Sequence, residues 1–371
     1  MTIKSDSKKK KSRLWYLLPI FLHVIGGIAV YMFLKGSDPR IAKNSLWLGV
    51  FLSAVATTIV AVVYLAYLND ISAAKERITT GSTIINTAYG PIEYADVGQG
   101  NPVLAIHGTG GGFDQGLLTA ESFLGEDIMN THRIIAPSRF GYLKTPTPSS
   151  PGGDASPAAQ ADGHAALLDA LGINQRVTVI GASAGALSAA EFAVKYPDRV
   201  SVLVLAIPAA WSPESATTAQ IGSNDFIMNT VLKSDFIMWV FTKVVGDQML
   251  SFIGVPQELQ QNMTMQERED ANRLIEMIQP VSQRHAGIMN DAFNHQNRQR
   301  LPLENIPVPT MIIDAKDVET FPGSKYTAEH IPNAKFVTFE TGGHLLIGHG
   351  DEARAAVREF LQEHEMPKIV R

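Results

Sequence analysis

The chain changes its hydrophobic pattern once. Up to Leu68 the apolar residues form two long unbroken runs; from Ile78 onward they form short runs of strand length separated by stretches with helical spacing. The first long run, Leu14 to Leu34 (LWYLLPIFLHVIGGIAVYMFL), carries no charge except one that His23 could take up. As a helix it rises roughly 31 Å at ~1.5 Å per residue, enough to cross a hydrocarbon core. Leu46 to Leu68 is uncharged and similarly long. Trp15, Tyr16, Tyr31, Trp47, Tyr64 and Tyr67 lie near the ends of the runs, where aromatic belts sit. The intervening KGSDPRIAKNS suffices only for a tight connection. The pattern therefore predicts a basic tail over 1–13 and a transmembrane hairpin over 14–68, with the lipid bilayer as a partner. A cleaved signal peptide is the rival reading of the first run, but that run is long for one, no clear A-x-A site ends it, and a second span follows. His23 is read as contacting the second helix or headgroups rather than forming an intramembrane site. Lys4, Lys8 to Lys11 and Arg13 precede the first run, and Lys75 and Arg77 follow the second, against Lys35, Arg40 and Lys43 between them. The positive-inside bias places both ends, and so the downstream domain, in the cytoplasm.

In the remainder, 78–371, STIINTA and PIEYADV flank a Tyr-Gly turn and predict a hairpin. PVLAIHG, HRIIAPS, RVTVIGAS, VSVLVLAIPAA, PTMIIDA and AKFVTFE are strand-length runs, and helical stretches such as Ala158 to Leu171 and Ala186 to Tyr196 separate most of them. This alternation predicts an α/β domain whose central sheet is mostly parallel, with helices on both faces. The interval 211–307 has no clear strand and reads as a helical cap inserted into the sheet. It holds seven of the 12 methionines, which either line an adaptable apolar pocket or fill the cap's own core. Its Phe236, Ile237, Met238, Trp239 and Phe241, so close to a membrane span, suit entry of a lipophilic substrate from the bilayer surface.

The 371 residues carry a formal charge of −5, which argues against nucleic acid as a partner. There is no cysteine, so disulfides, thiolate nucleophiles and Cys-ligated zinc are excluded together. No H-E-x-x-H or phosphate-binding P-loop spelling occurs, and neither a cofactor nor a metal is expected.

The candidate chemistry starts at Gly181-Ala-Ser183-Ala-Gly185, a G-x-S-x-G spelling at a strand-to-helix corner, where small residues give the clearance a sharp turn needs. A serine hydroxyl is a weak nucleophile and needs a base and an anion-stabilising pocket. Upstream, HGTGGG after a strand can aim backbone N–H groups at an oxyanion, with Thr109, Gly110 and Ala184 as the candidate residues. Downstream, Gly342-Gly343-His344 follows the last strand, and His344 is the candidate general base; as an alternative it is an exposed loop histidine. His107 and His349 read as structural.

HGTGGGFDQG, SRFGYLKTP, GASAG, DAKDVETFP and TGGHLLIGH together resemble the α/β-hydrolase superfamily over Ile78 to Phe360. The resemblance implies a serine hydrolase cleaving a carboxylic ester or thioester of a small apolar acyl substrate. The same triad also implies C–C bond hydrolysis or peracid formation as alternatives, and a non-catalytic membrane-tethered ligand receptor is the alternative from another class. Two departures from the superfamily pattern stand out. Ser138 replaces an aspartate usual in that loop, and Val318 occupies the position where many relatives place the triad acid. Asp317, one position earlier, is the expected acid, or else a turn aspartate that caps the loop; Glu319 and Glu214 are alternatives, and Asp314 is expected to lie too deep.

Overall fold

The computed structural model describes residues 13–148, 154–213 and 230–365. The chain divides into two compact units, Met1–Asp70 and Ile71–Arg371.

In the first unit a single helical turn, Arg13–Tyr16, leads into α1 (Leu17–Leu34), and α2 (Pro39–Thr80) follows. Two boundaries differ from expectation. The connection ends at Asp38 rather than Ser45, because Pro39 lacks only an N–H that a first helical turn leaves unused. The second helix does not stop at Leu68: NDISAAKERITT contains no breaker, and α2 runs 42 residues until Gly81 follows it. The two helices touch through glycine. A Cβ on Gly27 would lie 2.8 Å from the Ser45 carbonyl oxygen, and one on Gly49 would strike the carbonyl of His23. α1 is broken at His23, whose φ of 47° is not helical, and the Val24 N–H there donates to Ser53 Oγ at 3.1 Å. Val30, Leu34 and Ala42 are buried, while Phe21, Phe33, Trp47, Phe51 and Val60 are exposed. Both helices are long and apolar enough to cross a membrane.

The second unit runs from Ile71, and the last turns of α2 bury Ile71, Ala74 and Ile78. Its sheet has eight strands: β1 (Thr83–Thr87), β2 (Gly90–Gly98), β3 (Asn101–Ile106), β4 (His132–Pro137), β5 (Val177–Ala182), β6 (Val200–Ala206), β7 (Thr310–Ala315) and β8 (Lys335–Phe339). Their order is β1-β2-β4-β3-β5-β6-β7-β8. The hairpin β1–β2 closes at Thr87↔Gly90, β2 is antiparallel to β4, and every later pairing is parallel.

Alternating strand residues feed two cores. Leu104, Ile106, Val177, Val179, Leu203, Leu205 and Ile312 pack with α4 (Pro157–Ala170) and α5 (Gly185–Lys195). Val103, Ala105, Ile180, Val202, Val204, Met311 and Ile313 pack with α3 (Phe113–Met129) and with α12 (Gly350–His364), the last helix. This is the expected α/β arrangement with both faces covered. Between β6 and β7 no strand occurs among the described residues. That interval holds α6 (Asp235–Val244), α7 (Gly246–Phe252), α8 (Gln257–Asn262), α9 (Met265–Glu276) and α10 (His285–Gln296), and α11 (Phe321–His330) follows β7. The cap has its own core, in which Met238 and Met249 are buried among Leu250, Val255 and Ile275, so these methionines fill the cap rather than line a pocket. Of the five cap residues expected at an entry face, Met238 and Trp239 are also buried and Phe241 is partly buried, leaving Phe236 and Ile237 exposed.

Candidate active site

β5 ends at Ala182 and α5 starts at Gly185, so the chain must reverse within two residues. Ser183 carries the turn with φ 52°, a strained conformation for a residue with a side chain. Its backbone is locked on both sides: its N–H donates to the Ala206 carbonyl at 2.9 Å, and its carbonyl accepts from Ala186 at 3.1 Å and Ala209 at 3.2 Å. The flanking glycines are required by contact. A Cβ on Gly181 would lie 2.7 Å from that of Ala189, and one on Gly185 would lie 2.8 Å from the Ile106 carbonyl oxygen. A Cβ on Gly108 would stand 3.2 Å from Ser183 Cβ, so the glycine-rich loop after β3 lies directly against the serine.

The three residues expected to line the anion pocket separate in the structure. The Gly110 N–H donates to Tyr142 Oη at 3.2 Å. The Thr109 and Ala184 amides have no partner among the described residues. The loop is braced from below by His107, whose Nε2 accepts from the Arg139 N–H at 3.0 Å; its Nδ1 thus carries the proton and donates to the Gly108 carbonyl at 2.7 Å. Burial, together with the Arg139 charge, holds this histidine far below its usual pKa, so it is neutral and structural.

Sequence reasoning missed what holds the loop from above. Arg139 is almost fully buried and donates to the His107 and Gly108 carbonyls. It also forms a two-pronged ion pair with Asp291 of the cap helix α10, at 2.8 and 2.6 Å. Asp291 further accepts from Tyr142 Oη at 2.6 Å and from Thr109 Oγ1 at 3.0 Å. Burial and the Asp291 charge push the Tyr142 hydroxyl well above its ordinary pKa, keeping it a donor. The loop at Ser138 finds its carboxylate elsewhere: the fully buried Glu93 of β2 accepts from Ser138 Oγ at 2.9 Å, and Ser138 in turn accepts from the Phe113 N–H at 3.0 Å.

His344 sits on a short helical turn after β8. Its N–H donates to the Gly254 carbonyl of the cap at 2.9 Å, and the Gly348 N–H donates to Glu267 of α9 at 2.6 Å, so the cap clamps this loop as well. Burial draws the imidazole down to about 4. No hydrogen bond joins its ring to Ser183 or to a carboxylate among the described residues. The Asp317 carboxylate accepts from the Gly342 and Gly343 amides at 3.2 and 3.0 Å, gripping the two residues that precede His344. Asp314 is committed to Ser324 and the Ala315 amide, and burial raises it to about 7. Glu319 lies in the field of Arg298. Val318 is buried in the core, and Glu214 lies outside the described residues. His349 stacks on Phe339 with ring centroids 4.4 Å apart, a structural contact. An apolar cleft walled by Leu187, Pro208, Trp211, Leu301 and Tyr326 flanks the first turn of α5, but neither Ser183 nor His344 lines it.

A family model described as the alpha/beta hydrolase fold matches residues 101–231, from β3 through the serine corner and into the cap. The fold is that of the α/β-hydrolase superfamily. Among curated proteins, 2-hydroxymuconate semialdehyde hydrolase of Pseudomonas putida is 28% identical over 273 residues, covering 72% of this chain and 89% of that protein. Cis-3-alkyl-4-alkyloxetan-2-one decarboxylase of Shewanella oneidensis is 24% identical over 294 residues, covering 74% and 86%. Among solved structures, an alpha/beta hydrolase fold protein from Nakamurella multipartita superposes with a TM-score of 0.59 at 26% identity, covering 76% of this chain and 99% of that one.

Proposed function

We propose that the protein is a membrane-anchored serine hydrolase that cleaves a carboxylic ester or thioester of an apolar substrate through an acyl-enzyme. The observation that carries this reading is the Ser183 corner: a strained serine at a helix N-terminus, packed against the glycine-rich loop, with the Thr109 and Ala184 amides unpartnered among the described residues. In the mechanism, Ser183 Oγ attacks the carbonyl carbon and its proton passes to His344. The Thr109 and Ala184 N–H groups receive the developing oxyanion, which is worth about 3–4 kcal/mol per donor in comparable sites. Collapse of the tetrahedral intermediate expels the alcohol or thiol, which takes the proton from His344. Water then attacks the acyl carbon, giving a proton to His344, and collapse breaks the acyl–Oγ bond, releasing the carboxylic acid as Ser183 Oγ takes that proton back. Asp317 is the proposed acid: it accepts from the Gly342 and Gly343 amides and so holds the loop that carries His344.

Hydrolysis of a carbon–carbon bond on the same residues is the second reading, favoured by the likeness to the semialdehyde hydrolase. Turnover measured against a panel of aryl and thioesters of increasing chain length, beside a 2-hydroxymuconate semialdehyde, separates the two. Ester turnover that rises with chain length supports the first. Turnover of the semialdehyde alone supports the second, and ligand binding without turnover supports a receptor.

Membrane anchoring rests on the exposed apolar side chains of α1 and α2. With the positive-inside bias the hydrolase domain faces the cytoplasm. Protease added outside intact cells leaves the domain whole on this reading; digestion of the domain reverses the orientation.

A further inference from the structure

The end of α2 does more than join the two units of the chain. Arg77, in its last turns, donates from Nε to Asp114 Oδ2 at 3.1 Å and from Nη2 to the Gln279 carbonyl at 2.7 Å. Asp114 opens α3 immediately after the glycine-rich loop and is almost fully buried. The same carboxylate receives the fully buried Arg284 of the cap at 3.2 and 2.8 Å, and Arg284 also donates to the Gly111 carbonyl. Asp114 is thus held between an arginine from α2 and an arginine from the cap, and one of the two reaches into the loop itself. A second tie runs in parallel: Lys144 donates from Nζ to the Ile78 carbonyl at 3.1 Å while paired with Glu93, the residue that supports Ser138. Ile78 packs into the core with Phe113, and a Cβ on Gly81 would lie 2.8 Å from the Phe113 ring.

We propose that Arg77 is a positioning residue for acyl transfer, acting through Asp114 and Arg284 to fix the backbone of the oxyanion loop, so that the last turns of α2 belong to the catalytic apparatus. The inference rests on the serine-hydrolase reading above. Arg77 touches neither substrate nor Ser183. Its effect falls on the placement of the Thr109 amide, and a displacement of about 1 Å there costs up to roughly a hundredfold in rate. Such a loss belongs to the transition state, so it lowers kcat and leaves KM nearly unchanged.

The test uses the full chain in detergent micelles, as wild type, Arg77→Ala and Arg77→Lys, with p-nitrophenyl butyrate as substrate and an aryl trifluoromethyl ketone as the oxyanion-forming inhibitor. Arg77→Ala is expected to lower kcat by about ten- to a hundredfold with KM within about twofold. Ketone binding should weaken by the same factor, and amide hydrogen exchange across 108–115 should accelerate. Arg77→Lys keeps the charge but loses the planar fork, so it recovers part of the rate; if the alanine variant fails to fold, the lysine variant carries the test. Unchanged kcat and unchanged loop exchange in a folded variant overturn the inference. So does a fall in activity that appears only in KM. A wild-type chain that neither turns over the ester nor binds the ketone refutes the serine-hydrolase reading instead, and loop exchange in the variants then still decides whether Arg77 fixes the loop.

Discussion

Replacing Asp291 with asparagine removes the charge that ties the cap to the glycine-rich loop while preserving the side chain's shape. The carboxylate accepts from four donors: Arg139 Nη1 and Nη2, Tyr142 Oη and Thr109 Oγ1. An asparagine offers one oxygen and turns an NH2 toward the remaining donors. Arg139 is left buried without a counter-charge, which costs about 3–5 kcal/mol when one partner of a buried pair is removed. Against a total stability on the order of 5–15 kcal/mol this is a large fraction. For a domain of this size it lowers the melting temperature by roughly 10 °C at about 2–4 °C per kcal/mol. The assay is urea unfolding of the detergent-solubilised protein, followed by tryptophan fluorescence. Because Thr109 and Tyr142 lose their shared acceptor, kcat should fall as well. The double variant Arg139→Met with Asp291→Leu removes both charges, and it is expected to be more stable than Asp291→Asn alone. An Asp291→Asn protein within about 1 kcal/mol of wild type, or a double variant less stable than the single one, refutes the reasoning.

Three further outcomes follow from the site. His344 titrates near 6.5 in the unfolded chain and at about 4 in the folded one, so the folded state refuses a proton that the unfolded state accepts. Its contribution to stability is therefore full above pH 6.5 and declines between 6.5 and 4. The acid limb of kcat/KM should lie nearer 4 than 6.5, and a limb above 6.5 contradicts the described environment. Asp317→Asn should slow turnover by about two to four orders of magnitude while Glu319→Gln changes little; the reverse pattern moves the acid to Glu319, and near-normal turnover in both moves it to Glu214 or leaves a Ser-His pair. Glu93→Ala, which strands the buried Ser138 hydroxyl while leaving the part-exposed Lys144 ammonium to solvent, should destabilise the protein by about 1–3 kcal/mol in the same unfolding assay.

The parts of this protein that were legible in its sequence are those whose physics is local. Ser183 could be read because a sharp strand-to-helix turn demands small neighbours within two residues, and the sheet because its strands alternate with helices along the chain. Glu93 was not legible: it serves Ser138 from 45 positions away, across an antiparallel pairing, and β2 reads as an ordinary hairpin strand. Asp291 and Arg284 lie in a cap whose polar residues look like a solvated helix face until the cap is folded onto the glycine-rich loop. The extension of α2 past its apolar span was not legible because hydrophobicity ends at Leu68 while the helix continues to Thr80. Asp317 was singled out by its offset from Val318, but its hold on the Gly342 and Gly343 amides depends on β7 and β8 lying side by side.

The most direct test of the central claim is to treat the full-length protein with a fluorophosphonate probe and locate the adduct by peptide mass spectrometry. The account predicts a single stoichiometric adduct on Ser183, with no labelling and no ester turnover in a folded Ser183→Ala variant. Labelling at another residue, or a Ser183→Ala protein that still hydrolyses esters at the wild-type rate, would contradict it.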